Sequence, residues 1–164
     1  MGKTTITATP GTPFIDMERS FDAPAAYLLR AFTDPTLVVQ WLGPRRLEMV
    51  IDRWDARDGG GWRYVHRDAD GTEYGFRGVF HGEPSVDGLV QTFEFEGYPG
   101  HVSLDAIRFE ERDGRTILHG HSVFQSVADR DGMIESGMEG GVNDGFDRLD
   151  ELIERERTAV GSVG

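Results

Sequence analysis

Between residues 46 and 125 the chain alternates apolar and polar positions in a series of short segments, which is the period of a β-strand. The segments are joined by short connections rich in Asp, Gly and Pro, residues that favour tight hairpin turns. A similar segment, Phe14 to Phe21, comes before them. The pattern therefore predicts an antiparallel meander of about six strands and an N-terminal strand, at 14–21, 46–55, 61–67, 73–82, 89–96, 102–111 and 115–125.

Two short helices are predicted directly after the first strand, where apolar residues recur at helical spacing. Asp22 is expected to cap the first helix. The second is expected to begin at Asp34 and to end before the Gly43–Pro44 break. Because both helices are short, we expect them to cover one part of the sheet and not to form a core alone.

One long amphipathic helix is predicted from Ala128 to Arg157. It is rich in glycine, with Gly137, Gly141 and Gly145 at four-residue spacing, and each glycine costs about 1 kcal/mol relative to Ala in a helix interior. A sheet that curves around this helix buries the apolar faces of both, and the glycines leave room between them. The sequence thus predicts an α+β helix-grip fold, with a curved antiparallel sheet wrapped around the long C-terminal helix.

The 164 residues fit one domain, which we place at 14–157. The segment 1–13, rich in Thr, Gly and Pro, is predicted to be a flexible arm, and 158–164 a C-terminal tail. There are 17 Lys and Arg against 29 Asp and Glu, so the net charge of −12 argues against nucleic acid as a partner. Cysteine is absent and no apolar run spans a bilayer, so we expect a cytoplasmic chain without membrane insertion.

Strand alternation places several aromatic residues on one sheet face. Each alone fits ordinary core packing, but as a group beside a glycine-rich helix they favour a pocket for a small hydrophobic molecule. The predicted ligand-binding residues are Trp41, Trp62, Tyr64, Phe76, Phe93, Asp105, Ser122, Met138, Gly141, Val142 and Phe146.

Asp105 is the candidate for polar or catalytic chemistry. If Ile107 and Phe109 point to the core, Asp105 does so too, and its carboxyl group could bind a ligand hydroxyl or act as a base with a raised pKa. In the alternative reading, the opposite set of side chains beginning at Val102 points inward and Asp105 is solvated. Alternation alone leaves both readings open.

His119 and His121 form an H-x-H pair on one strand face, a spacing that could supply two metal ligands. No other close ligand signature accompanies the pair, so we interpret it as exposed and predict no metal site and no cofactor. Nucleophile elbows, phosphate loops and dinucleotide fingerprints are also missing from the sequence.

Several ordered phrases of the chain are typical of a known family: RSFDAPAAYLLRAFTDPTLVVQWLGP, RDGGGWRYV, DGTEYGFRGVF, EGYPGHVSLDAIRFEERDGRT, SVFQS and DRDGMIESGMEGGVNDGFDRLDELI. From Phe14 to Glu156 they resemble the SRPBCC or START-like superfamily, in particular the branch named after the C-terminal domain of the activator of heat-shock-protein-90 ATPase. The resemblance implies a helix-grip fold. It also implies that Trp41, Gly43 and Pro44 form a lid or rim of the cavity. The glutamate of the family's P-G-H-V-x-L-E-T phrase is Asp105 here, so a fixed catalytic role does not carry over.

Three functions compete at this point. The favoured one is non-enzymatic binding of a lipid- or polyketide-like molecule, with Asp105 orienting its polar end. The second is an enzyme of the cyclase, dehydratase or hydrolase kind, with Asp105 as general base and Tyr64 or Ser122 as polarising partner. The third is a chaperone-linked interaction module that uses the acidic surface or a sheet edge. A homodimer is left open.

Overall fold

A computed structural model describes residues 2–163, with side chains described as far as residue 159. The elements in chain order are β1 (Thr5–Thr7), β2 (Phe14–Phe21), α1 (Ala25–Thr33), α2 (Pro35–Trp41), β3 (Glu48–Trp54), β4 (Gly61–Arg67), β5 (Glu73–Ser85), β6 (Gly88–Phe95), β7 (Val102–Arg112), β8 (Arg115–Val123), α3 (Val127–Glu135) and α4 (Met138–Val163).

The strands form one curved antiparallel sheet in the order β1-β2-β8-β7-β6-β5-β4-β3, and the sheet wraps around α4. β3 to β8 are the predicted meander, and β2 pairs with β8 along its whole length. The apolar side of α4 is buried against the sheet through Phe146, Leu149, Leu152 and Ile153. The predicted helix-grip fold is therefore confirmed.

Within the described residues the sheet has eight strands, one more than predicted, because Thr5–Thr7 pairs with β2. The extra strand lies within the segment predicted to be an arm, and Ile6 faces Met17 across the pair. Three consecutive β-branched residues suit an extended edge strand, and β2 offers the free edge. The flexibility of the remainder of 1–13 stays a prediction.

The single long helix predicted for 128–157 is wrong, because the chain forms two helices, α3 and α4. Gly137 lies between them with φ of +85°, a left-handed conformation that ends helices and that glycine adopts without steric cost. α4 then continues to Val163, through residues predicted to be a tail. Gly164 lies outside the described residues.

The cap predicted for α1 is also wrong. Pro24 occupies the N-cap position and makes no side-chain cap, while the Glu111 carboxylate accepts a hydrogen bond from the Ala25 N–H at 2.7 Å. Asp22 forms an exposed ion pair with Arg157 instead. A carboxylate from β7 therefore satisfies the helix N-terminus that sequence reasoning assigned to the neighbouring residue.

α2 begins directly after Asp34, as predicted, and the carboxylate of Asp34 accepts a hydrogen bond from the Thr36 N–H at 3.0 Å. The helix ends with Trp41, whose indole N–H donates to the Ala31 carbonyl at 2.9 Å. The Trp41 ring stacks on Phe146 of α4 with 6.1 Å between centroids. This contact sets the position of α2 against one end of α4.

A buried arginine joins the sheet to α4. Arg19 of β2 is 2% exposed, and its Nη2 lies 2.9 Å from Asp147 Oδ1 and also pairs with Asp150. Its Nη1 donates to the Thr4 hydroxyl at 3.1 Å, and the guanidinium lies 5.8 Å from the centre of the Phe146 ring. One side chain thus connects the N-terminal segment, the sheet and α4.

We expect Arg19→Ala to lower the free energy of unfolding by about 3 kcal/mol or more, because the change leaves Asp147 and Asp150 without their cation and opens a void. Urea denaturation measures the loss. Arg157→Ala is the matched control: it breaks an exposed pair with Asp22 and should cost less than about 1 kcal/mol. Equal, small losses in both variants would contradict the anchoring role of Arg19.

Two glycines near the helix break should respond to alanine with opposite signs. Gly132 lies within α3, where an added methyl group would contact nothing within 4 Å, so Gly132→Ala should raise the free energy of unfolding by about 0.5–1 kcal/mol. Gly137→Ala should lower it by about 1 kcal/mol, since φ is +85° there. Urea denaturation of both variants measures the difference, and stabilisation by Gly137→Ala would argue against the break.

Candidate functional site

A cavity lies between the sheet and the two C-terminal helices. It has two adjoining lobes, one of about 620 Å³ and one of about 690 Å³. Each volume is in the range of sites for drug-sized molecules. The residues that border both lobes are Arg46, Leu47, Phe76, Phe93, Ser103, Phe124, Met133 and Ser136.

All eleven residues predicted to bind a ligand contribute to the wall of the first lobe. The sheet supplies Trp62, Tyr64, Phe76, Phe93, Asp105 and Ser122; α2 supplies Trp41; α4 supplies Met138, Gly141, Val142 and Phe146. Strand alternation and helical spacing place residues on a face, so both patterns located the wall. That these residues bind a ligand stays a prediction.

Aromatic rings cover the sheet side of this lobe in a continuous series. Trp62 stacks on Tyr64 with 5.5 Å between centroids, and Tyr64 stacks on Phe76 at 5.2 Å. Phe76 lies 5.5 Å from Phe93. The rings touch because β4, β5 and β6 are neighbours in the sheet, and their inward positions come into register at Tyr64 and Phe76.

A row of polar side chains crosses this apolar wall. Gln91 of β6 lies directly opposite Asp105 of β7, and Asp105 lies opposite Ser122 of β8. The row ends on each side at a fully buried apolar residue: Phe80 faces Gln91, and Ile15 faces Ser122. Three hydrogen-bonding side chains are therefore enclosed between apolar neighbours.

The register decides between the two readings of Asp105. Ser103 and Phe109, which share its strand face, are each 5% exposed, whereas Leu104 on the opposite face is 44% exposed. Asp105 itself retains partial exposure and lines the first lobe, so we assign its accessible surface to the cavity. The inward reading is the one the structure adopts.

The surroundings of Asp105 shift two pKa values. Burial raises the pKa of the Asp105 carboxyl, and the side chains of Ser122, Gln91 and Ser103 oppose that shift because their hydrogen bonds favour the charged form. Burial, and then the nearby charge of Asp105, raise the pKa of the Tyr64 hydroxyl. Tyr64 consequently stays protonated and able to donate a hydrogen bond.

Two polar ring nitrogens of the same wall are buried by neighbouring protein atoms. Trp62 Nε1 and His66 Nε2 are buried and, among the described residues, have no hydrogen-bond partner. Gly43, with φ of +96°, packs on His66 so closely that an added Cβ would lie 2.6 Å from Nε2. Burial lowers the pKa of His66 to about 4, so the ring is neutral. This part of the wall is less polar than its residue types imply.

The mouth of the first lobe is marked by the lining residues that solvent reaches, namely Arg46, Ser136, Gly137 and Gly140. It lies between the segment 43–47 and the α3–α4 junction. The rim implied for Gly43 and Pro44 agrees with this placement, since both line the lobe at that side. Trp41 is a correction: it is 2% exposed, and its bond to Ala31 holds it in the wall.

Sequence reasoning did not assign several wall residues to the site. Gln91 and Ser103 occupied inward positions in the same alternation that located Asp105, so a search for polar residues at apolar positions would have found them. His66 follows Tyr64 by two residues on β4 and so shares its face, but a single histidine among aromatic residues gives no further signal. Met133 and Ser136 had no such signal, because they reach the cavity only through the break that Gly137 introduces.

The H-x-H pair lies outside the cavity. His121 Nδ1 is 2.6 Å from Asp16 Oδ1, and His119 lies between Glu18 at 3.3 Å and Glu110 at 3.2 Å. These pairings hold both imidazoles to neighbouring strands. Within residues 2–163 no group of three or more His, Asp or Glu side chains is arranged to hold a metal ion.

The chain is similar to one family over most of its length: residues 22–154 match the activator of Hsp90 ATPase homolog 1-like proteins. With its fold, this match shows that the chain belongs to that family, within the SRPBCC or START-like superfamily. Folds of this class commonly bind hydrophobic ligands.

Solved structures agree on the fold. A crystal structure of a Rhodobacter sphaeroides protein is 22% identical with a TM-score of 0.85, covering 93% of this chain and 99% of that one. A solution structure of an Arthrobacter aurescens protein is 22% identical with a TM-score of 0.84, covering 92% and 91%. The AHSA1 protein of Silicibacter pomeroyi is 20% identical with a TM-score of 0.71, covering 87% and 99%.

Curated proteins gave no match to the chain. In the portion that the structure describes, no helix has the length and apolar character needed to cross a membrane.

The buried His66 should make stability depend on pH. Its pKa is about 4 in the folded chain against 6.5 ordinarily, so between these values the unfolded chain binds a proton that the folded chain does not. The free energy of unfolding should therefore fall as pH drops from 6.5 to 4, by about 3 kcal/mol in total from this residue.

Urea denaturation across this pH range tests the effect. His66→Gln should remove that part of the slope, and His81→Gln, at an exposed position, should leave it unchanged. Asp105 has a raised pKa and contributes with the opposite sign, but it is present in every variant, so the difference between variants isolates His66. If the unfolding free energy of His66→Gln depended on pH as steeply as that of the unaltered chain, His66 would not be the source of the effect.

Proposed function

We propose that this chain binds a small hydrophobic molecule, lipid- or polyketide-like in character, in the cavity between the sheet and α4. The observation that carries the proposal is the polar row through Asp105 set in a wall of aromatic rings. Binding sites for small molecules combine a mostly apolar lining with a few placed polar groups in this way. An apolar ligand body would contact the rings, and its polar end would contact the row.

The aromatic wall has surface available for such a ligand. Phe76 and Phe93 lie between the sheet and the helices, yet both keep part of their surface accessible. Covering apolar surface is favourable by about 25 cal/mol per Å². A ligand that fills the lobe would bury this surface, which the protein leaves uncovered.

The glycines of α4 support the same function. A methyl group added at Gly141 would lie 3.6 Å from Pro44 Cδ. Apart from the backbone of α4 itself, only atoms of Pro44 lie within 4 Å of that position. Gly145, one turn later, is more constrained, because an added methyl group would lie 3.2 Å from the Trp41 carbonyl oxygen. α4 is therefore in close contact with the end of α2 beside Gly145, and space opens beside Gly141.

Filling this space tests the proposal. Gly141→Leu should reduce binding of the uncharged dye Nile red at least tenfold, because its side chain occupies the lobe. Glu154→Leu adds the same side chain at an exposed position of α4 that does not line the cavity, and should leave binding unchanged. Fluorescence titration measures affinity, and native mass spectrometry of freshly purified protein measures any co-purified molecule. Equal binding by both variants would contradict a ligand site here.

A second candidate is an enzyme of the cyclase, dehydratase or hydrolase kind. It is favoured by the inward position of Asp105 and its raised pKa, which suit a general base, with Tyr64 or Ser122 polarising the substrate. If the molecule recovered from Asp105→Asn differs in mass from that recovered from the unaltered chain, turnover is favoured over simple binding.

A chaperone-linked interaction module that uses the acidic surface or a sheet edge stays a prediction, as do a homodimer and a cytoplasmic location.

A further inference from the structure

The acidic groups of the first lobe are placed unevenly. Asp105 is the carboxyl group on the sheet wall, between Gln91 and Ser122. Asp144, on α4, also lines the lobe, but its carboxylate accepts a hydrogen bond from the Arg45 N–H at 3.3 Å in an exposed setting. Negative charge in the interior of the lobe therefore comes from Asp105.

No cation faces Asp105 from the described wall. Arg46 is the one arginine or lysine among the described residues that line the lobe, and its side chain is 68% exposed at the mouth, 3.3 Å from Asp68. His66 is neutral and its Nε2 is covered by Gly43. The interior thus offers hydrogen-bonding groups and a carboxyl group without a basic partner.

We propose that the cavity selects ligands that present an uncharged hydroxyl group to Asp105, and rejects ligands that would place a carboxylate there. This inference rests on the proposed function and names the chemical class of the ligand's polar end. The aromatic wall fixes the other requirement, an apolar body.

Rejection of an anion follows from charge and solvation. A carboxylate beside ionised Asp105 meets a like charge in surroundings where electrostatic interactions are stronger than in water. If Asp105 is protonated, the ligand still gives up its hydration and finds no cation in the interior. Both protonation states of Asp105 therefore disfavour an anionic group at this position.

A hydroxyl group fits better than an ammonium group. It donates to an ionised carboxylate and accepts from a protonated one, and its remaining hydrogen-bonding capacity can be met by Gln91 or the Tyr64 hydroxyl. An ammonium group only donates, and it needs Asp105 ionised, the state that burial disfavours. Such a pair would also lose the hydration of two charges.

Three compounds of matched shape test this selection: 2-naphthylmethanol, 2-naphthoate and 2-naphthylmethylammonium, each competing with Nile red at pH 7. We expect the alcohol to bind at least tenfold more tightly than the carboxylate and the ammonium compound. A carboxylate can reverse its orientation and place its charge near Arg46, so the panel is repeated with Arg46→Gln, in which that orientation loses its cation.

Asp105→Asn identifies the residue responsible. It keeps the shape and removes the charge, so the preference for alcohol over carboxylate should fall at least fivefold. Asp52→Asn, an exposed change on β3, is the control and should keep the full preference. The panel on the unaltered chain and on Arg46→Gln decides the question even if Asp105→Asn does not fold.

The outcomes separate the two proposals. If Nile red binds and Gly141→Leu reduces its binding at least tenfold, the cavity is a ligand site. In that case, equal binding of the carboxylate and the alcohol by Arg46→Gln would overturn the proposed selection and leave the ligand site in place. Tighter binding of the ammonium compound than of the alcohol would overturn the inference that the selected group is uncharged. If neither the dye nor any of the three compounds binds, the proposed function fails and the selection fails with it.

Discussion

The contact between α4 and the sheet depends on one buried cation. Arg19 projects from β2 and pairs with Asp147 and Asp150, which are spaced three residues apart and so lie on one face of the helix. Apolar packing by Leu149 and Phe146 is non-directional and would tolerate sliding of the helix. The ion pairs have a defined geometry, so they set where along the sheet the helix lies.

With α4 held at this point, neighbouring positions in its N-terminal part meet different surroundings. Near Gly145 the helix backbone approaches the Trp41 carbonyl closely, and toward Gly141 the space widens into the first lobe. The left-handed turn at Gly137 then redirects the chain, so that α3 borders the second lobe through Met133. The cavity thus lies beside the N-terminal part of α4, between the close contact at Gly145 and the break at Gly137.

The polar row gives this space its chemical character. Side chains of β6, β7 and β8 meet because antiparallel register aligns Gln91, Asp105 and Ser122, and apolar residues close the row at each end. A buried carboxyl group without a basic partner is costly to stability. Its presence on the wall of an apolar cavity is the feature on which the proposed ligand recognition rests.

Much of the fold and of the cavity wall could be predicted from the sequence alone. Periodicity located seven of the eight strands and the side chains that share a face of each strand, because side-chain direction follows directly from backbone period. All eleven predicted wall residues line the first lobe for the same reason. The break at Gly137 could not be read from the sequence, since glycine is compatible with both a helix and its end.

Only the tertiary structure decided the rest. The inward direction of Asp105 required the register of three strands, and alternation by itself allowed either face. Capping of α1 by Glu111, pairing of β1 with β2, and burial of Arg19 beside Asp147 each join residues far apart in the chain. The local pattern of residues gives the period of each element and the direction of its side chains. Contacts between residues far apart in the chain form only when the sheet has wrapped around α4.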